Sequence, residues 1–279
     1  DHRDLHSFPT RRSSDLYVIL ANQKKPYLIF INKTNFDYSI VETPLGNTEG
    51  EVIALYKENY LIGGTYQEEG FRKIKLALLS KEGSLLWEKE IYNKEVEKPF
   101  DKANDIAIDG IGNIFVIGNT IGTINNDIIL SGLNSEKISF ENIIGSRNND
   151  YGINIELYKN DILIAAESNN IYPENKSDQK GYNIILERRS AKDGNLIKRI
   201  VIGDKDNNYP VGLKVKDNTI YLLGNGSKDI LIARIEDDLN NIKQKTLQGK
   251  NAISFIVNED SLDILTNNSI INVSLPFLQ

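Results

Sequence analysis

YLIGGT (60–65), NIFVIGN (113–119), DILIAAE (161–167) and TIYLLGN (219–225) are one strand written four times. Each is a run of apolar residues that closes on a small residue and then a polar one. YVILAN (17–22) and SLDILT (261–266) are weaker copies. Aligned on the last small residue, the copies fall at Ala21, Gly64, Gly118, Ala166, Gly224 and Thr266. Their steps are 43, 54, 48, 58 and 42 residues, with a mean of about 49. Self-similarity at such a period is the signature of a repeat architecture.

A second strand follows each copy: PYLIFI (26–31), RKIKLAL (72–78), NDIILSGL (126–133), YNIILERR (182–189), KDILIARI (228–235) and SIINVSL (269–275). In KIKLAL the apolar Ile74, Leu76 and Leu78 alternate with Lys73, Lys75 and Ala77, a period of two that predicts a half-buried strand. A third strand follows in LLWEKEI (85–91), ISFENIIG (138–145), LIKRIVIG (196–203) and NIKQKTLQG (241–249). A fourth precedes the anchor strand in EVIALYK (51–57), NDIAID (104–109), YGINIELY (151–158), PVGLKVK (210–216) and AISFIVN (252–258). Asn, Asp and Gly fill the joints, as at Asp109-Gly110, Asn160-Asp161, Asp217-Asn218 and Asp193-Gly194. These residues tolerate positive φ and close tight hairpins. No run shows helical spacing with caps. Four short strands per fifty residues predict an all-β chain, a β-propeller of four-stranded antiparallel blades. A β-solenoid would repeat at shorter intervals, and a β-sandwich would not repeat.

Asp1 to Leu16 is set apart from this pattern. The peptide DHRDLHSFPTRRSSDL is, residue for residue, the in-frame translation of a common sequencing-adapter DNA, and is excluded from the fold. The exclusion removes both histidines, His2 and His6. It takes three of the 33 basic and three of the 39 acidic residues, leaving 30 and 36. From Tyr17 onward the chain has no His, Cys or Met. Without imidazole or thiol there is no Ser-His-Asp or Cys-His catalysis and no His or Cys metal site. No disulfide is possible and no cofactor is expected. Mild acidity argues against a nucleic-acid partner. No apolar stretch reaches eighteen residues, so no transmembrane segment is visible, and a signal peptide or lipid anchor is expected to precede Tyr17.

The unit DIILSGLNSEKISFENIIGSRNNDYGINIELYKNDILIAAES (127–168) resembles the bacterial β-propeller repeat labelled SBBP. Asp127, Gly145, Ser146, Asn149, Asp150 and Tyr151 match its pattern, and NDIAIDGIGNIFVIGNT (104–120) matches its second half. The resemblance covers most of 17–279 and weakens towards the C-terminus. It implies a bacterial envelope or secreted protein and carries no catalytic residues. In related propellers the innermost strand follows Asn-Asp-Tyr. On that phase the chain holds a partial blade (17–43), blades at about 51–91, 103–145, 151–203 and 210–249, and a partial blade (252–275) in a single domain. About six blades are then visible, truncated at the N-terminus, in a propeller of six or seven blades when complete.

Loops ahead of the inner strands would ring one mouth of a propeller. The residues expected to line a ligand site there are Asp105, Asn149, Asp150, Asp204, Asp206, Asn208 and, in the long insertion SNNIYPENKSDQKG (168–181), Tyr172. The recurring Asn and Asp residues have a second reading, as Asx-turns that satisfy loop backbone, and this one is favoured for a residue that travels with the repeat. GDKDNNY (203–209) spaces Asp204, Asp206 and Asn208 like the start of a calcium loop, but lacks the following Gly and distal Glu. A polar turn accounts for it better. SKEGSLLW (80–87) departs from the sialidase Asp-box in residue and spacing, and Trp87 is expected to pack between blades.

The function these features predict is a non-enzymatic binding scaffold of the bacterial envelope or secreted fraction, with a protein or glycan as partner. One alternative is a carboxylate-based polysaccharide-active enzyme, which requires two carboxylates about 5–10 Å apart at the mouth. The other is a structural scaffold within a larger secreted protein.

Overall fold

The structure is a computed structural model, and it describes residues 16–22, 25–121, 125–168, 181–203, 207–249 and 251–275. Among these residues there are strands and turns but no α-helix. Six antiparallel sheets follow one another along the chain, and they are the blades of a β-propeller. The first has three strands, β1 (Leu16–Asn22), β2 (Pro26–Asn32) and β3 (Tyr38–Glu42). The second has four, β4 (Thr48–Tyr56), β5 (Asn59–Glu68), β6 (Phe71–Leu79) and β7 (Leu85–Ile91). The third contains β8 (Lys102–Ile108), β9 (Asn113–Ile121), β10 (Asn126–Asn134) and β11 (Lys137–Ile144). The fourth is built from β12 (Asp150–Tyr158), β13 (Asp161–Ser168), β14 (Asn183–Ser190) and β15 (Leu196–Ile202). The fifth follows with β16 (Tyr209–Lys216), β17 (Thr219–Asn225), β18 (Asp229–Glu236) and β19 (Asn241–Gln248). The sixth has three described strands, β20 (Ala252–Val257), β21 (Ser261–Thr266) and β22 (Ile270–Ser274). Leu16, set apart with residues 1–15 as adapter-derived in the sequence, belongs to β1 and pairs with Asn32.

The chain divides into two compact units. One comprises the described residues up to 121 with 129–143, and the other comprises 125–128 with 144–275. Within the first unit, Leu20, Leu28, Ile53 and Ile62 form a core between the first two sheets. A second core lies between the second and third sheets, around Leu61, Leu76, Ile106 and Val116, with Trp87 packed against it. The second unit repeats the scheme. Leu163, Leu186, Leu213 and Leu222 join its first two sheets, and Leu223, Ile232, Phe255 and Ile264 join the next pair. Each fully buried Leu or Ile is worth about 1.5–3 kcal/mol relative to exposure, so these shared cores hold neighbouring blades together.

This packing accounts for the strand patterns. The strands β5, β9, β13 and β17 are covered on both faces, and each carries at least five consecutive buried residues. Alternation is therefore lost where the sequence is most apolar. KIKLAL departs from its half-buried expectation for the same reason. Lys75 in β6 is buried, and its ammonium lies 4.2 Å from the Tyr66 ring centroid. The burial of a lysine stem under a blade, with its charge on an aromatic face, is what the period of two could not show.

Five inner strands share one irregularity. Their register shifts at Gly50/Val52, Ala103/Asp105, Gly152/Asn154, Pro210/Gly212 and Ala252/Ser254. A bulge repeated at one position is a device of the repeat. Beside it, two of the anchor strands carry a glycine that a side chain could not replace without movement. A Cβ on Gly118 would stand 2.1 Å from the Lys102 carbonyl oxygen, and one on Gly64 would stand 2.4 Å from that of Glu49.

Candidate functional site

The polar residue after that small residue has a defined task. In β1 the Asn22 side chain donates to the Gly50 carbonyl at 2.6 Å and accepts from the Gly50 N–H at 2.9 Å. In β17 Asn225 treats Ala252 in the same way, donating at 3.0 Å and accepting at 2.9 Å. Each amide thus brackets one peptide of the next blade, at the last residue before the inner-strand bulge. Asn119 occupies the equivalent position in β9, Thr65 in β5 and Glu167 in β13.

At Glu167 the bracket is absent on both sides. A carboxylate cannot donate to a carbonyl. The residue before the bulge in the next blade is Pro210, which has no N–H to give. Glu167 is half-buried, and among the described residues no hydrogen bond holds its carboxyl group. Burial pushes it up to about 7.

Three tyrosines stand around it, all in the second unit. Tyr151 lies directly opposite Glu167 in the β12–β13 register. Tyr182 leads into β14, whose first residue, Asn183, pairs with Ser168. Tyr209 opens β16 and is 37% exposed. The Tyr182 and Tyr209 rings are 6.1 Å apart and inclined at 34°. Burial raises the Tyr151 phenol, with Tyr182 and then Glu167 adding to it, and raises that of Tyr209, with Glu167 and then Tyr182 adding. Each group makes negative charge on its neighbours less favourable.

Asparagines hold the Tyr151 hydroxyl and the Tyr182 backbone. Asn126 donates its side-chain N–H to the Tyr151 hydroxyl at 3.1 Å and to Asn149 Oδ1 at 3.2 Å. Asn149 Oδ1 also accepts from the Asn126 backbone N–H at 3.0 Å. Tyr182 is held through its backbone. Its N–H donates to Asn207 Oδ1 at 2.9 Å, and its carbonyl accepts from the Asn208 N–H at 2.8 Å.

The residues singled out from the sequence are therefore distributed as follows. Asn149 accepts from Asn126, which in turn bonds the Tyr151 hydroxyl, and the Asn208 backbone N–H donates to the Tyr182 carbonyl. Asp150 is buried, and its Oδ2 accepts from the Ser146 N–H at 2.5 Å, tying a loop to its inner strand. Asp105, in the other unit, accepts from the Ile106 N–H at 2.9 Å through Oδ1 at the β8 bulge. Asp204, Asp206 and Tyr172 lie outside the described residues. Among the described residues no three carboxylates or imidazoles converge as metal ligands. Asp101 is wholly buried and accepts from the Asn93 N–H at 2.8 Å. Burial pushes it up to about 6, with the nearby Glu141 adding to the effect. The Thr120 hydroxyl and the Asn93 N–H beside it favour the charged form and offset part of that rise.

The sequence reading missed Glu167, Tyr151, Tyr182 and Tyr209 as a group. The available signal was a departure from the repeat. Glu stands where Asn stands at 22, 119 and 225, and Pro stands at 210 ahead of the bulge.

No protein-family model matches the chain, and no curated protein matches it in sequence. Solved structures match in fold. Hydrazine synthase from Kuenenia stuttgartiensis is 12% identical with a TM-score of 0.63, over 93% of this chain and 80% of that one. BamB from Moraxella catarrhalis is 8% identical with a TM-score of 0.52, over 95% and 83%. The Pan2 WD40 domain from Neurospora crassa is 8% identical with a TM-score of 0.52, over 95% and 86%. Proteins of such different kinds at this identity show a shared fold and nothing narrower.

Proposed function

We propose that this propeller is a binding module and that Glu167, Tyr151, Tyr182 and Tyr209 are its ligand site. The observation that carries the reading is the exchange at one junction. The Asn-to-peptide bracket seen at Asn22 and Asn225 is given up, and a carboxyl group with three tyrosines stands in its place. A repeat position that abandons its structural task while gathering aromatic rings and a half-buried acid has the composition of a small recognition site. The cluster has one carboxyl group among the described residues, whereas the glycosidase alternative requires two. A binding role accounts for this set of side chains more directly.

The setting we propose is the bacterial envelope or secreted fraction. Its support is the likeness of 127–168 to a repeat found mainly in such proteins. BamB is a bacterial neighbour in fold.

Binding is tested by ligand-observed NMR against soluble cell-wall fragments, short peptides and small amines. Glu167→Asn and Tyr209→Ser are run in parallel with the parent chain. Loss of a bound component in both variants, with melting temperatures preserved, supports the site. Components that bind all three proteins equally, or conversion of a component by the parent chain, would overturn the reading. Fractionation of a producing bacterium tests the setting, and recovery in the cytoplasm alone would exclude it.

A further inference from the structure

We infer that the Glu167 site takes an alkylammonium group, primary or methylated, whose positive charge sits among the tyrosines and against the carboxylate. The inference rests on the binding-site reading above and specifies its ligand.

The chain has ten other tyrosines. Five of them carry a cation of the chain itself near the ring. Lys33 lies 5.0 Å from the Tyr17 centroid, Lys57 lies 5.3 Å from that of Tyr56, and Lys75 lies 4.2 Å from that of Tyr66. Lys73 stands 4.7 Å from the Tyr92 ring. Tyr158 has Lys159 at 5.1 Å and Arg188 at 5.6 Å. The face of an aromatic ring attracts positive charge, and these five tyrosines use the attraction, whereas Tyr27, Tyr38, Tyr60 and Tyr221 do not among the described residues. Tyr151, Tyr182 and Tyr209 have no such cation among the described residues.

Glu167 repeats the contrast. Glu187, the most buried carboxylate among the ion pairs of the described residues, is held by Arg189 and by Arg199. Glu167 has no Lys or Arg partner among the described residues, and its environment disfavours its charge. The groups around it are phenols and the Asn126 amide. Ring faces and a half-buried carboxyl group are the surroundings that favour a partly desolvated cation. A sugar would also stack on Tyr209, but it would leave the carboxylate uncompensated. An ammonium group satisfies ring faces and carboxylate together.

The experiment is a titration of the whole chain, by calorimetry and NMR, with choline and with n-butylammonium. Their neutral counterparts, 3,3-dimethyl-1-butanol and 1-butanol, are titrated alongside. The two cations separate a quaternary from a primary preference. At least one should bind tenfold or more tighter than its neutral counterpart. Its affinity should rise about tenfold from pH 6 to pH 8, because a carboxyl group with a midpoint near 7 passes from one-tenth to nine-tenths ionised. Glu167→Gln should abolish both the preference and the pH dependence. Glu167→Asn, which places the usual repeat residue at this position, guards against misfolding.

Equal binding of the neutral counterparts overturns the inference, as does a flat pH dependence. So does an ordinary glutamate midpoint for Glu167 in the free protein, because the chain would then supply its own counter-charge. If a neutral ligand binds and Tyr209→Ser removes it, the ammonium specificity fails and the site stands. If neither cation nor any neutral probe responds to Glu167→Asn or Tyr209→Ser, both readings fail.

Discussion

The side-chain amide of Asn225 brackets the peptide of Ala252, donating to its carbonyl at 3.0 Å and accepting from its N–H at 2.9 Å. These residues are 27 positions apart and belong to neighbouring sheets. Asn225→Ala removes both bonds and leaves two part-buried backbone groups without partners. The expected loss is about 1–3 kcal/mol in urea unfolding. Asn225→Asp keeps the acceptor and loses the donor, so it should fall between the parent and Asn225→Ala. An Asp variant less stable than Ala would mean that carboxylate repulsion, not the lost donor, dominates there.

Gly118 sets a steric limit. A Cβ there would stand 2.1 Å from the Lys102 carbonyl oxygen, a backbone atom just ahead of the β8 register shift. Gly118→Ala should destabilise by roughly 3 kcal/mol, at the upper end of overpacking. Gly46→Ala, where an added Cβ meets nothing within 4 Å, serves as the control and should change stability little. Thermal melts of the two variants decide the matter, and equal melting temperatures would refute the bulge argument.

The ion pairs of Glu187 give a third expectation. Its side chain is 2% exposed and pairs with Arg189, itself 8% exposed, at 2.5 Å, and with Arg199. Arg189 also donates to the Gly194 carbonyl at 2.8 Å. Glu187→Ala strands a buried guanidinium and should remove about 3–5 kcal/mol. The double variant Glu187→Leu with Arg189→Met should recover much of that loss. Failure to recover would assign the effect to Arg199 or to the turn that holds Gly194.

The pH dependence of stability follows from two buried acids. Burial moves Glu167 from 4.5 up to about 7 and Asp101 from 3.8 up to about 6. Below their unfolded values both states are protonated, and this contribution is complete. As pH rises, the unfolded chain releases its protons first, so the folded state binds more and stability falls. The Asp101 contribution declines between about 4 and 6, and that of Glu167 between about 4.5 and 7. Between pH 6 and 7 the remaining slope belongs mainly to Glu167. Glu167→Gln should flatten it and remove a total decline of about 3 kcal/mol at most, reduced towards about 2 kcal/mol by solvent screening of the exposed part of the side chain. An unchanged slope in that variant would show that Glu167 titrates normally.

Much of the fold was legible because the repeat displays it several times. The anchor strands, their period and their Asn, Asp and Gly joints are visible in residues such as Gly64, Gly118 and Asp217-Asn218. Asp217 and Asn218 do adopt positive φ, at 50° and 60°. Burial across blades was less legible. Lys75 reads as solvent-facing and is covered, with its ammonium over the Tyr66 ring of the adjacent strand and 3.5 Å from Glu88, contacts made by strand pairing that a period of two does not display. The site was harder still. Asn149 and Asp150 drew attention because they recur, and recurrence marks what every blade needs. Glu167 and Pro210 matter together through a register between separate sheets, and no local spacing joins them. Tyr151, Tyr182 and Tyr209 are spread over 58 residues, and only strand pairing gathers them.

A chain of copied blades offers each partner several similar seats. The Asn bracket makes the junctions it closes alike, and alike junctions cannot be told apart. Glu occurs once at this position, at residue 167, opposite a proline that occurs once before the bulge. Thr stands at the same position at residue 65, so it is the carboxyl group opposite a proline, and not the loss of Asn alone, that gives the array an address. Whatever binds there should do so at one per chain, in one orientation, however many blades surround it.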